Sequence, residues 1–260
     1  MITIRKLSKG KDVIELQRLL QIPVDGIFGD KTEKAVKDFQ ASKGLIVDGI
    51  VGEKTWAALY EEPDITKAYI YTHITQSPNR PIKYIAIHYT AGSTSRRGAA
   101  ENTRHVFLSR RASADFVVDD AEIVQINPDL RNYYCWSVGD KKNPNTGGGQ
   151  LYGKATNRNT ISIEICSNLS KGASAAIPNH KGWYYTPSAL ANAKIIVEYL
   201  MKRFGVPKEN VVRHYDISGK MCPAIMGWNN ARIYSTDGKP TNETNNSNEW
   251  FKFKESISND

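Results

Sequence analysis

Hydrophobic residues in the first sixty positions recur at helical spacing in three short stretches. Spacings of three and four residues place such side chains on one face of a helix. The apolar positions are Val13, Leu16, Leu19 and Leu20, then Ala35, Val36 and Phe39, then Trp56, Leu59 and Tyr60. This pattern predicts a small bundle of three helices at the start of the chain.

The loops before the second and third predicted helices repeat each other. VDGIFGDKT and VDGIVGEKT are identical at seven of nine positions and begin 23 residues apart. Each Asp-Gly pair predicts a turn, because glycine adopts a positive φ at little energetic cost. We expect Asp30 to cap the middle helix, with Glu33 completing a capping box. A calcium loop is disfavoured, because Ile27 and Ile50 occupy the third position counted from the aspartate of each copy, where a ligand is required.

Beyond residue 80, short β-branched runs alternate with helical patterns. We predict strands at residues 82–88, 115–119, 122–126 and 160–166 and from residue 211, with helices at 99–108 and 187–204. In TISIEIC the isoleucines face one side of the strand, while Ser162, Glu164 and Cys166 face the other. Strands and helices intermixed in this order indicate an α/β domain whose central mixed β-sheet is flanked by helices.

The chain therefore divides into three predicted parts. Residues 1–62 form the three-helix module, and residues 81–260 form the α/β domain. Residues 63–80 are predicted to be a linker and lead-in segment, because Pro63 and Pro78 lie among scattered polar residues.

Composition adds limits on partners and location. The chain of 260 residues has a net charge of +8 and a pI of about 9.2. Nucleic acid, acidic lipid and bacterial wall polymers are all anionic partners that this charge would suit. No stretch approaches the roughly 18 apolar residues of a membrane span, and no signal peptide is recognisable. Three cysteines are too few for a disulfide framework, so we expect synthesis in the cytoplasm.

Two histidines and a cysteine have the spacing of a metal site. His88 and His214 each end an apolar strand, and Cys222 follows His214 in an H-x7-C arrangement. Two imidazoles and a thiolate would give zinc three protein ligands and leave one position for water. The spacing alone is equally compatible with buried histidines that have only a structural role.

The repeated loops resemble those of a known peptidoglycan-binding module. Its pattern is D-G-x-x-G followed by a helix, with a leading L-Q-x-x-L that Leu16, Gln17 and Leu20 supply here. The resemblance covers residues 8 to 60. It implies a three-helix domain that binds cell-wall glycopeptide.

Three segments of the larger domain resemble the zinc-dependent N-acetylmuramoyl-L-alanine amidases. They are IAIHYTAG, ISIEIC and RHYDISGKMCP. The family shares its fold with phage lysozyme-amidases and peptidoglycan-recognition proteins, and the resemblance covers residues 68 to 257. It implies one zinc ion per chain, held by His88, His214 and Cys222. It also implies Glu164 as the catalytic glutamate and Lys220 as the lysine two residues before the last ligand.

The chain departs from this family pattern at two places. Asp115 and Phe116 stand where many relatives have histidine and an aromatic residue. Cys135, Trp136 and Ser137 stand where many read A-W-H. Neither place includes a ligand or the glutamate, so the departures bear on substrate contacts and leave the reaction intact.

The resemblances imply a hydrolase that cuts the amide bond between N-acetylmuramic acid and the L-alanine of the stem peptide. We expect peptidoglycan as the partner, no nucleic acid, no membrane, and a monomer. The enzyme would act on the cell wall after lysis or through a holin-type lesion, as an endolysin; an autolysin or spore hydrolase is an alternative. Two other functions are a non-catalytic peptidoglycan-recognition protein and a cytoplasmic amidase that recycles muropeptides. The first typically lacks the thiolate ligand, and the second has no use for a wall-binding module.

Overall fold

The fold is described by a computed structural model of the chain. It covers residues 2–92, 94–139, 141–143, 146–173, 182–224, 226, 232–234, 240–244 and 248–258. The chain forms two compact units, Met1–Pro63 and Asp64–Asp260. Within the described part of the chain, no helix combines the length and the apolar character that crossing a membrane requires.

The first unit is a three-helix bundle, as predicted. The helices are α1 Lys11–Leu19, α2 Asp30–Ser42 and α3 Glu53–Tyr60. Val13, Leu16, Val36 and Trp56 are buried among them. The helical spacing of the apolar residues therefore does mark the face on which each helix packs.

Two buried glutamines hold the repeated loops. The side-chain amide of Gln17 donates hydrogen bonds to Asp25, Ile27 and Thr32, and its carbonyl oxygen accepts one from the backbone of Gly26. Gln40, 23 residues later in the sequence, makes the same contacts with Asp48, Ile50, Thr55 and Gly49. Each copy of the repeat is therefore fastened to the helix that precedes it.

The predicted capping box at the start of α2 is wrong. Gly29 occupies the N-cap position, and no side chain caps the helix there. Asp30 is already the first helical residue, so its carboxylate instead pairs with Lys6. Glu33 pairs with Lys37 at 3.0 Å and with Lys6 at 3.1 Å.

The second unit is built on a mixed six-stranded sheet. Its helices are α4 Ala99–Ser109, α5 Pro187–Phe204, α6 His214–Ser218 and α7 Asn248–Ser256. Its strands are β1 Ile65–Lys67, β2 Ile74–Gln76, β3 Tyr84–Tyr89, β4 Phe116–Val118, β5 Ile123–Gln125, β6 Tyr133–Cys135, β7 Thr160–Ile165, β8 Asn168–Leu169, β9 Trp183–Tyr184, β10 Val211–Arg213, β11 Arg232–Tyr234 and β12 Pro240–Thr244. The sheet order is β1-β5-β4-β7-β3-β10. Strands β4 and β5 are antiparallel, and the other neighbouring pairs are parallel. The predicted α/β class with a central mixed sheet is confirmed.

One row of side chains across this sheet changes from apolar to polar. Val124, Val117, Glu164 and His88 are register neighbours on β5, β4, β7 and β3, so they share a face. Helix α4 packs on the apolar half of that face, in a cluster with Val117 and Val124. The polar half of the row consists of Glu164 and His88, which lie near the ends of the parallel strands β7 and β3.

The predicted linker and lead-in segment, residues 63–80, belongs to the second unit from Asp64 onward. Strand β1 pairs with β5 at the edge of the sheet, and β2 pairs with β6. Each strand has three residues. A run this short carries no readable periodicity, so its strand conformation comes from tertiary pairing.

Candidate active site

The structure brings His88, His214 and Cys222 together. His88 lies near the end of β3, and His214 opens α6 directly after β10, the strand paired with β3. Their ligating atoms all lie within 4.8 Å of one another. The two Nδ1 atoms are 3.0 Å apart, and the Sγ of Cys222 is 3.8 Å from the Nδ1 of His88. All three side chains are buried.

A short helix and a tight turn bring Cys222 back to His214. Residues 214–218, directly after β10, form α6. Gly219 ends the helix with a φ of 79°, and a Cβ there would lie 2.6 Å from the carbonyl oxygen of Asn143. The backbone N–H of Tyr215 then donates to the carbonyl oxygen of Cys222 at 2.9 Å. Glycine is therefore required where the turn presses against its neighbour.

The glycine-rich loop at residues 146–149 packs against α6. The hydroxyl of Tyr215 donates to the carbonyl oxygen of Thr146 at 2.6 Å, and the N–H of Gly149 donates to the carbonyl oxygen of Tyr215 at 2.9 Å. A Cβ on Gly148 would lie 2.6 Å from that same carbonyl oxygen. The consecutive glycines are the only sign in the sequence that this loop approaches another backbone so closely.

The three side chains fit a zinc ion. The Nε2 of His214 donates to the carbonyl oxygen of Val138 at 3.0 Å, which leaves the Nδ1 lone pair facing the cluster. Burial lowers the pKa of His214 to about 3 and that of His88 well below its ordinary value, so both rings are neutral, the form in which imidazole can bind a metal. Burial also raises the pKa of the Cys222 thiol to about 12, and ligation of a cation would favour the thiolate. Two imidazoles and one thiolate suit zinc.

Glu164 lies beside this cluster. Its Cα is paired in register with that of His88, so the two side chains project from the same face of the sheet. Its Oε2 atom is buried and has no hydrogen-bond partner among the described residues. Burial raises the pKa of Glu164 to about 8, and the nearby charge of Lys220 opposes that rise.

Lys220 is exposed, yet it acts on the whole cluster. It stands two residues before Cys222. Beyond the effect of burial, its positive charge lowers the pKa values of His88, His214, Glu164 and Cys222. A surface lysine remote from the site would not have this influence.

Asp115, the first departure from the family pattern, is an interior residue. It pairs with Arg80 at 3.3 Å, and both side chains are fully buried. Asp115 also accepts hydrogen bonds from Ser162 and Asn127, while Arg80 donates to the carbonyl oxygens of Leu130, Asn157 and Thr160. The pair joins several segments of the second unit. Sequence reasoning missed Arg80, because it lies in the predicted lead-in segment.

The second departure lies next to the site. The backbone N–H of Ser137 donates to the side chain of Asn157 at 3.0 Å, and the following residue, Val138, holds His214. Cys135 and Cys166 are buried, and burial raises the pKa of both thiols, so they are neutral core groups.

Comparison with known proteins agrees with this arrangement. The family described as N-acetylmuramoyl-L-alanine amidase matches residues 78–225, and a peptidoglycan binding domain matches residues 9–59. N-acetylmuramoyl-L-alanine amidase XlyB of Bacillus subtilis (strain 168) is 35% identical over 141 residues, which are 54% of this chain and 37% of that protein. The chain thus spans little more than a third of this curated relative.

Two solved structures are similar in fold over three quarters of the chain. A mutant endolysin from Bacillus subtilis is 26% identical with a TM-score of 0.50, over 75% of this chain and 99% of that chain. The catalytic domain of XlyA is 25% identical with a TM-score of 0.50, over 75% of this chain and 100% of that chain.

Proposed function

Because the chain belongs to the N-acetylmuramoyl-L-alanine amidase family, we propose that it hydrolyses peptidoglycan at the amide bond between N-acetylmuramic acid and the L-alanine of the stem peptide. The observation that carries this proposal is the convergence of His88, His214 and Cys222, with Glu164 in register beside them. The presence of the thiol ligand Cys222 favours an enzyme over a non-catalytic receptor.

In this proposal His88, His214 and Cys222 hold one zinc ion per chain. When bound, zinc lowers the pKa of its water to about 7 and polarises the carbonyl group that is attacked. Val138 keeps the proton of His214 on Nε2, so that Nδ1 remains a ligand.

Glu164 and Lys220 carry out the remaining steps. The carboxylate of Glu164 accepts the proton of the attacking water and delivers it to the leaving amine of L-alanine. The positive charges of Lys220 and of the bound metal favour the ionised form of Glu164. Lys220 also places a positive charge near the carbonyl oxygen on which negative charge develops.

The first unit has a separate role in the same proposal. Its match to a peptidoglycan binding domain supports attachment to the wall polymer. Attachment raises the concentration of substrate bonds around the catalytic unit. The net charge of +8 suits an anionic wall. We infer that the protein acts on the cell wall as an endolysin that arrives through lysis or a membrane lesion.

Digestion of purified sacculi, with mass spectrometry of the products, tests this function. We expect new amino termini on L-alanine without new reducing sugar ends. A chelator should abolish the release and zinc should restore it, while Cys222→Ser and His214→Ala should be inactive. New reducing ends would identify a glycosidase and overturn the proposed bond. Undiminished activity in metal-free protein would overturn the zinc site.

A further inference from the structure

Tyr185 brings a buried hydroxyl group to the candidate site. Its oxygen is buried and has no hydrogen-bond partner among the described residues. Burial raises the pKa of Tyr185 well above its ordinary value, and the charges of Cys222, Tyr89 and Glu164 raise it further. The backbone geometry brings the residue to the site. Tyr184 pairs with Asn168, four residues after Glu164, and the ring of Trp183 meets that of Tyr89, the residue after His88, edge-on at 5.5 Å. The hydroxyl therefore lies beside the candidate site and is a hydrogen-bond donor there.

The backbone around Tyr185 is held on both sides. Tyr184 belongs to β9, which pairs with β8. Thr186 caps helix α5 by accepting a hydrogen bond from the N–H of Ala189 at 3.2 Å, and its own hydroxyl donates to Asp120. A side chain fixed between a strand and a helix cap has a pre-organised position.

The hydroxyl of Tyr185 and the Oε2 of Glu164 are not hydrogen-bonded to each other. The Oε2 of Glu164 and the hydroxyl of Tyr185 are both buried without a partner among the described residues. A buried polar group without a partner is destabilising, and native proteins tolerate few of them. The carboxylate needs a donor and the phenol needs an acceptor. A peptide amide that enters the site, together with the water that attacks it, offers both.

We propose that Tyr185 donates a hydrogen bond to the carbonyl oxygen of the amide that is cleaved, and that this bond strengthens as negative charge develops on that oxygen. The inference rests on the proposed amidase function. It makes Tyr185 a second stabilising group beside Lys220, on the principle that fixed donors aimed at developing charge accelerate acyl transfer.

Tyr185→Phe in the full zinc-loaded chain tests the role, with Tyr184→Phe as the matched control. Tyr184 is the adjacent residue and is exposed, so the same substitution there removes only a solvated hydroxyl. On a soluble muropeptide we expect Tyr185→Phe to lower kcat about 100-fold, with little change in KM. Zinc content should be unchanged. Tm should stay the same or rise, because the substitution removes a buried hydroxyl without a partner.

Wild-type kcat in Tyr185→Phe would overturn the inference. Loss of activity together with a lower Tm or a lower zinc content would also overturn it, because either change indicates a structural role. If the wild-type chain and Tyr184→Phe release no L-alanine amino groups, the amidase proposal itself fails. That result differs from an active wild type with an unaffected variant, in which only the role of Tyr185 is lost.

Discussion

At the scale of single residues, Glu164 is where catalysis and metal binding can be separated. Glu164→Gln keeps the size of the side chain but removes the proton acceptor. If Glu164 is the general base, turnover should fall by roughly 10²–10⁴-fold while zinc content and folding persist. Zinc stoichiometry and turnover should be measured on the same sample.

A different pattern would assign Glu164 another role. If it orients a ligand, zinc affinity should fall about 10–100-fold together with activity. Full turnover with full zinc content would remove Glu164 from the mechanism.

The buried pair of Arg80 and Asp115 makes a prediction about stability. Asp115→Ala would leave the guanidinium of Arg80 buried without its partner, which should lower the free energy of unfolding by about 3–5 kcal/mol. The exposed pair of Glu249 and Lys252 is the control, and Glu249→Ala should change it by less than about 1 kcal/mol. Denaturant unfolding of the full chain measures both. Equal effects of the two substitutions would contradict the structural role of the pair.

Sequence patterns indicated some site residues and not others. His88, His214 and Cys222 were predicted as a ligand set through the family resemblance, because their residue types and spacing alone left a structural role equally open. Arg80 and Tyr185 were not predicted, because their importance comes from neighbours that are distant in sequence. Tyr185 lies 21 residues after Glu164, and the pairing of β9 with β8 brings its segment back to the end of β7.

At the scale of elements, the glutamine-held loops predict acid sensitivity of the first unit. Hydrogen bonds, the largest from Gln17, lower the pKa of Asp25, and those from the backbone of Ile50 and from Gln40 lower that of Asp48. A lowered folded-state pKa stabilises the unit above the unfolded value of about 4, and this stability is lost as pH falls through the folded value. Unfolding of residues 1–63 should therefore become easier below about pH 4.

Trp56 is the one tryptophan in residues 1–63, so its fluorescence can follow this unfolding. The double variant Asp25→Asn, Asp48→Asn is the control, because the two asparagine side chains stay neutral at every pH. Pairing with Lys6 also lowers the pKa of Asp30, and pairing with Lys37 and Lys6 lowers that of Glu33, so the control should retain a weaker pH dependence. Identical pH dependence in both proteins would contradict the assignment to the loops.

The length of an element determines whether a sequence pattern can predict it. Helix α5, with a proline in its first turn and Gly205 at its end, has many positions in which a period can repeat. Strand β7 alternates over six residues. Strand β1 and helix α6, with three and five residues, offer no repeat, and pairing partners elsewhere in the fold determine their conformation.

At the scale of the whole molecule, the two units should divide the work. Residues 1–63, expressed alone, should sediment with insoluble peptidoglycan at low salt. Residues 64–260 should still cleave soluble muropeptides, because His88, Glu164, His214, Lys220 and Cys222 all lie there. Co-sedimentation and product analysis measure the two activities. A first unit that stays in the supernatant would refute its targeting role.

The edge strand β1 decides where the catalytic unit can be cut from the chain. The amidase family match begins at residue 78, which invites a fragment that starts there and lacks β1. Such a fragment would expose the backbone N–H and C=O groups of β5 that β1 now covers. An uncovered edge is a template for pairing with another chain, whereas a short strand that ends in Lys67 terminates the sheet. The presence of Ile65–Lys67, which lie outside the candidate active site, would thus determine whether the isolated second unit remains monomeric or aggregates.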